Sequence, residues 1–243
     1  MHRFFSDKSN FLNNFVVLQG SDVNHIRTVL RLTLGDEIEV LDGEGSLYLV
    51  RLSEFKNKLI KCEILSSEKN DTESPLKIYL GQSLVKGNGF DGILRKAVEL
   101  GVHSISPLLT ERTVKKSDSE KKIIRWKKIA EESSKQCGRS SIPKIANSIV
   151  KLETFCQQAS DSDLKLIFWE MENKKRLKDI NPEITPSSAS VLIGPEGGFT
   201  QEEVETACKY GFHSLGLGPR IFRAETAPLV VLSLLQAKWG DIR

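Results

Sequence analysis

Two apolar runs, "LKLIFWE" (Leu164–Glu170) and "ASVLIGPE" (Ala189–Glu196), constrain this chain more than any other feature. Both are short and lack the apolar–polar alternation of a half-buried strand. They read as strands covered on both faces, as in a parallel sheet flanked by helices. Segments of helical period stand between such strands. "LKIYLGQSL" is a strand, and "FDGILRKAVELGV" is a helix closed by Gly101 at its C′ position. "SISPLLTERTV" holds the next strand, followed by the amphipathic "SEKKIIRWKKIAEESSKQCGR" with Ile123, Trp126 and Ala130 on one face. "QEEVETACKYG" is helical, "FHSLGLG" a strand, and "AETAPLVVLSLLQAKWG" a strongly apolar last helix. This order predicts an α/β domain with a mostly parallel sheet.

The first seventy residues follow a different rule. "DEIEVLDGEGSLYLVRLSEF" alternates around the turn "DGEG", and "KLIKCEIL" alternates again, a hairpin pattern. Only "SDVNHIRTVLR" is helical in period, with Val23, Ile26 and Leu30 on one face and Ser21 or Asp22 as cap. A small barrel-like β unit is expected over residues 1–70. The polar stretch "SSEKNDTESP" separates it from the α/β domain, expected over residues 74–243.

Composition narrows the function classes. With 243 residues, 39% hydrophobic and 28% charged, the chain can bury a substantial core. No apolar run approaches the roughly 20 residues that cross a bilayer, and no secretory h-region opens the chain. A cytoplasmic protein without a membrane partner is expected. The four cysteines and four histidines are scattered, without metal-ligand or disulfide spacing, so no metal is expected. Net charge is only +3. Between Glu111 and Lys128, however, eight basic residues stand against three acidic ones, a solvated helix face or a phosphate-facing patch.

The chemistry concentrates in two glycine-rich loops. "LIGPEGGFT" (Leu192–Thr200) follows a buried strand, and Thr200 with Glu203 makes a capping box for the next helix. The loop therefore sits on the carboxyl edge of the sheet, where open α/β sheets bind ligands. It is neither a P-loop, lacking the Lys-Ser/Thr pair, nor a dinucleotide G-x-G-x-x-G, and Glu196 would repel a phosphate. A neutral or cationic ligand suits it better. The second loop, "LGLGPRIFRAETAP" (Leu215–Pro228), places Arg220, Arg223 and Glu225 before the last helix, with Pro228 suited to its first turn.

Together these loops resemble those of the RsmE family, 16S ribosomal RNA uracil-N3 methyltransferases of the SPOUT superfamily. The resemblance extends to "RFF" near the start, "HIRTVLR", "KGNGFDGILRKAVELGV", "PLLTERTV" and "RWKKIAEESSKQCGR", in the family's order. Asn88 and Gly89 depart from the charged residues common in the family, and Ser133 and Ser134 from its small apolar ones.

The resemblance implies a PUA-like RNA-binding β-barrel followed by an α/β SPOUT domain that is trefoil-knotted and homodimeric. It implies S-adenosyl-L-methionine as cofactor, held by Leu192, Ile193, Gly194, Pro195, Glu196, Gly197 and Gly198 and by Leu215, Gly216, Leu217, Gly218, Arg220 and Ile221. Leu215, Leu217 and Ile221 would flank the adenine, and glycines would let backbone groups approach. Arg223 is assigned to stabilise the uracil anion, while Glu225 either accepts the N3 proton or orients Arg223. Two roles are open to Glu196: touching the ligand or bracing the fold. For the 16S rRNA partner, in which the family's target is U1498, phosphate contacts are assigned to Arg3, Arg27 and Arg31 on the small domain and to Lys86, Arg112 and Arg139 on the large one. The alternatives are a SPOUT methyltransferase acting on another RNA and a non-catalytic ribosome-assembly factor.

Overall fold

In the computed structural model, which describes residues 1–70, 72–113 and 119–243, the chain forms two units, Met1–Glu73 with Ser134–Ile142, and Ser74–Ser133 with Pro143–Arg243. In the first unit the alternating segments become β1 (Arg3–Phe5), β2 (Phe11–Leu12), β3 (Phe15–Gln19), β4 (Glu37–Leu41), β5 (Ser46–Lys56) and β6 (Leu59–Lys69). They make one sheet in the order β1-β4-β5-β6-β3-β2, antiparallel except for the parallel β1–β4 pair. The "DGEG" turn joins β4 to β5 as expected. Asp42 Oδ1 accepts from the amides of Glu44 (2.9 Å) and Ser46 (3.0 Å), while Gly43 and Gly45 take φ of 76° and 106°. The inward positions, among them Phe4, Val16, Ile38, Val50 and Ile60, form the unit's core.

Helix α1 (Ser21–Asn24) continues into a π-turn at His25–Val29 and buries Val23 and Ile26. Its cap differs from expectation: Gly20 occupies the position, with no side-chain bond. Asp22 instead faces Lys135 at 3.3 Å. Arg139 also needs correction, because Ser134–Ile142 belongs to this unit rather than to the α/β one. Several bonds tie the segment there: Arg139, 5% exposed, grips Glu73 through Nε and Nη2, and the Ser140 amide donates to Thr72 Oγ1 (2.9 Å).

In the second unit the strands are β7 (Lys77–Ser83), β8 (Val102–Leu109), β9 (Lys144–Ile145), β10 (Val150–Lys151), β11 (Leu164–Phe168), β12 (Ser188–Ile193) and β13 (His213–Leu215). Every pairing is parallel, in the order β10-β8-β7-β12-β11-β13, with β9 also on β8. The helices are α2 (Gly89–Glu99), α3 (Ser119–Cys137), α4 (Leu152–Gln158), α5 (Gln201–Lys209) and α6 (Ala227–Trp239). Gly101 ends α2 at φ 73°, and Ile123, Trp126 and Ala130 are buried along α3. Leu108, Ile167, Leu192, Phe155 and Val204 pack into one core cluster. α6 lies beside α2, where Gln236 Nε2 donates to the carbonyls of Leu100 (3.0 Å) and Gly101 (3.3 Å).

Candidate active site at the carboxyl edge of the parallel sheet

The site is set by register. Gln82 of β7 pairs with Ile193 of β12, Ile193 with Phe168 of β11, and Phe168 with Leu215 of β13. Four strands thus end near one row, and the segments leaving them share the carboxyl edge. The chain order reverses across β7 and β12, because β7 leads outward to β8 while β11 and β12 return. That reversal is where a crevice opens in such sheets.

"LIGPEGGFT" turns off β12 as a loop closed by Gly198 N–H donating to the Pro195 carbonyl (3.0 Å), with Gly198 at φ 68°. The capping box is present: Thr200 N–H donates to Glu203 (3.0 Å) and Glu203 N–H to Thr200 Oγ1 (3.3 Å). Leu192, Ile193 and Pro195 are buried, Gly194 and Gly198 half-buried, and Glu196 and Gly197 exposed. Glu196 Oε1 accepts the backbone N–H of Lys86 at 2.7 Å, which ties this loop to the turn after β7. Arg112 donates to the Gly197 carbonyl at 2.6 Å.

The second glycine loop stands on the other side of β11, and residues after β11 join the two. Trp169 N–H donates to the Leu215 carbonyl (3.0 Å), and its indole Nε1–H to the Phe199 carbonyl (3.3 Å). Glu170 packs so closely on Gly198 that a Cβ there would collide with its carboxylate. Gly216 N–H donates to the Lys175 carbonyl (2.8 Å), and a Cβ at Gly216 would fall on the Glu172 carbonyl oxygen. From Gly216 the chain runs from edge strand β13 to Glu225, whose carboxylate lies against Gly89 at the start of α2. Residues 219–225 therefore lead from edge strand β13 to the start of α2.

A cavity of about 410 Å³ opens beside this loop, lined by Gly216, Leu217 and Gly218, by Arg176, Leu177 and Lys178, and by Leu234, Ala237 and Lys238 of α6. Its size falls within the roughly 300–1,000 Å³ of small-molecule sites. Its lining combines aliphatic side chains, glycine backbone and three cationic residues, of which Lys238 donates to the Leu177 and Ile180 carbonyls. Of the apolar residues expected around an adenine, Leu217 lines this cavity, Leu215 is fully buried and Ile221 is 82% exposed. Arg220, Arg223 and Glu225 are exposed, and among the described residues no ion pair joins them.

The residues assigned to RNA are dispersed. Arg3 is paired with Glu39 (2.6 Å), and Arg27 donates to the Lys56 carbonyl (2.8 Å) over the Phe55 ring. Arg31 is exposed at an unusual φ of 54°, and Lys86 is exposed beside Glu196. Arg139 is committed to Glu73. In the basic run, Lys115 and Lys116 lie outside the described residues, Arg125 pairs with Asp91, and Lys127 donates to Asn147.

Sequence reasoning missed the turn after β11 and the buried Gln82. Gln82 Nε2 donates to the Ser83 carbonyl (3.0 Å), while its Oε1 has no partner among the described residues. Its signal was a lone amide inside the apolar strand "LKIYLGQSL".

This fold and edge define a class. A family model described as RNA methyltransferase domain matches residues 72–236, and one described as RNA methyltransferase PUA domain matches residues 18–65. The chain is 32% identical to the ribosomal RNA small subunit methyltransferase E of Buchnera aphidicola subsp. Acyrthosiphon pisum, covering 99% of this chain and 95% of the relative. It is 35% identical to that of Mesomycoplasma hyopneumoniae over 96% and 98%. The crystal structure of the Neisseria gonorrhoeae ribosomal RNA small subunit methyltransferase E bound to S-adenosyl methionine superposes with a TM-score of 0.90 at 34% identity, covering both chains completely. The chain belongs to the ribosomal RNA small subunit methyltransferase E family.

Proposed function

We propose that this protein methylates N3 of a uridine in 16S rRNA of the small ribosomal subunit, the family's U1498, using S-adenosyl-L-methionine. The observation that carries the reading is the shared end row of β7, β12, β11 and β13, which brings both glycine loops to one edge in a chain similar throughout to a cofactor-bound relative. The residues fit that cofactor. It is a sulfonium cation with an adenine and no phosphate, and the edge offers bare glycine backbone, Leu217 and an exposed carboxylate loop without a phosphate-cradling lysine. When bound, the cofactor supplies an electrophilic methyl group.

The chain's residues supply the rest. Uracil N3 is protonated at neutral pH, so a proton must leave as the methyl arrives. Arg223, exposed and outside any described ion pair, has its guanidinium available for the charge that develops on the base. Glu225, at the N-terminus of α2, is the acceptor for the proton. Residues Ile193–Gly198 and Leu215–Ile221 hold the cofactor, and Arg112 braces the first of these loops. A trefoil knot around these loops belongs to the same reading and rests on the likeness to the family. The apolar α6, with Leu234 45% exposed, supports a homodimer through that helix. The N-terminal unit acts as a PUA-like barrel that holds RNA with Arg3, Arg27 and Arg31. The protein works in the cytoplasm, where small subunits are assembled. Incubation with methyl-labelled cofactor and small subunits from a strain lacking the enzyme, followed by mapping of the label, tests the reading. Label at any position other than a uridine N3 of 16S rRNA overturns it.

A further inference from the structure

Carboxylates from the two glycine loops meet the turn Lys86–Gly89 at its two ends. At its start, Glu196 Oε1 accepts the Lys86 N–H at 2.7 Å. At its end, the absence of a side chain at Gly89 leaves the space taken by the Glu225 carboxylate, into which a Cβ would intrude. Between them the turn is tight: Gly87 takes φ 63°, and Gly89 N–H reaches back to the Lys86 carbonyl at 3.4 Å. Glu196 is exposed and belongs to the cofactor loop, yet its described hydrogen bond goes to backbone, not toward the 410 Å³ cavity, whose lining excludes it.

We propose that Glu196 and Gly89 are positioning residues for Glu225: Glu196 anchors the Lys86–Gly89 turn to the cofactor loop, and Gly89 provides the seat in which the Glu225 carboxylate rests. The inference depends on the reading of Glu225 as proton acceptor and explains how one loop keeps that acceptor in register with the other.

Three comparisons test it on the full-length protein with S-adenosyl-L-methionine and small subunits. A Glu196→Ala variant removes the anchor, whereas Glu196→Gln keeps a carbonyl oxygen that accepts the Lys86 amide. Turnover by Glu196→Gln should exceed that by Glu196→Ala about tenfold, since misplacement on the ångström scale costs up to roughly 100-fold. If Glu196 serves instead as a charge for the cofactor, Glu196→Gln and Glu196→Ala lose cofactor affinity alike, and the proposal fails. Gly89→Ala meets mainly the movable end of Glu225, with Val85 at 3.0 Å, so the fold should persist while kcat falls and the cofactor Kd stays put. In a Glu225→Gln background, Gly89→Ala should change kcat no further; additive losses overturn the coupling. A fully active Glu225→Gln removes the underlying reading and the inference with it. An inactive Glu225→Gln beside an unaffected Gly89→Ala overturns the inference alone.

Discussion

Replacing Gly216 with Ala is the most direct probe of how the edge is built. The residue is buried where β13 ends, and the space for a Cβ is already filled by the carbonyl oxygen of Glu172. Neither group is a flexible tip, so relief requires moving backbone on one of two segments. Their separation is fixed by the Gly216 N–H to Lys175 carbonyl bond of 2.8 Å and by the Trp169 N–H to Leu215 carbonyl bond of 3.0 Å. Overpacking of a tight interior costs about 1–3 kcal/mol, and a disrupted backbone hydrogen bond adds about 1 kcal/mol. A loss of about 3 kcal/mol is expected, equivalent to about 6–12 °C in Tm for a domain of this size. Gly92→Ala is the control: its Cβ meets nothing within 4 Å, and it lies inside α2, so Tm should hold or rise. Thermal unfolding followed by circular dichroism reads both variants, and isothermal titration with S-adenosyl-L-methionine should show weaker binding by Gly216→Ala. A Gly216→Ala protein melting within a degree of the parent would refute the close crossing of these segments.

Other expectations follow from single contacts. Burial alone would raise the Glu73 carboxyl, but the hydrogen bond and charge of Arg139 outweigh it and hold it below its ordinary 4.5. A depressed carboxyl gives stability that is fully present above the unfolded value and lost as pH falls through the folded one. The midpoint for urea unfolding should therefore drop below about pH 4.5 less steeply in Glu73→Gln than in the parent. At pH 7, Glu73→Ala removes one partner of the buried Arg139 and should lower stability by about 1–3 kcal/mol, the lower range because Glu73 is 30% exposed. Burial pushes the Cys62 and Cys156 thiols up to about 12, while Cys137 and Cys208 are exposed. Iodoacetamide at pH 8 should thus modify Cys137 and Cys208 and spare the other two in the folded protein, as intact mass and peptide mapping would reveal. Arg223→Ala should lower kcat far more than cofactor affinity, by about 100-fold or more if it stabilises the developing anion, and equal losses in both would remove that role.

The periodic parts of the chain were legible because each follows from local physics. The "DGEG" hairpin, the capping box at Thr200–Glu203 and the Gly101 stop all recur in the structure with the residues that local chemistry requires. The α1 cap was not legible, because Asp22 has an ion-pair partner more than a hundred residues away. Arg139 was misplaced for the same reason: nothing near it in sequence announces Glu73. Glu196 is the instructive case. Its carboxylate was visible as an anomaly among glycines, and the phosphate loops could be excluded from it, but its partner is a backbone amide at Lys86, which carries no sequence signature at all.

Register explains why two loops of unrelated sequence form one edge. Phe168 pairs with Ile193 on one side and Leu215 on the other, so β11 is the ruler against which both glycine loops are set. Its neighbours Leu166 and Ile167 are fully buried, on opposite faces of the sheet. A slip of one residue would exchange those faces and displace one loop relative to the other by about 3.3 Å. A ligand held by hydrogen bonds to both loops would not keep its geometry through such a shift. The apolar run "LKLIF", the least chemically distinctive part of the unit, therefore governs the alignment of its two glycine loops.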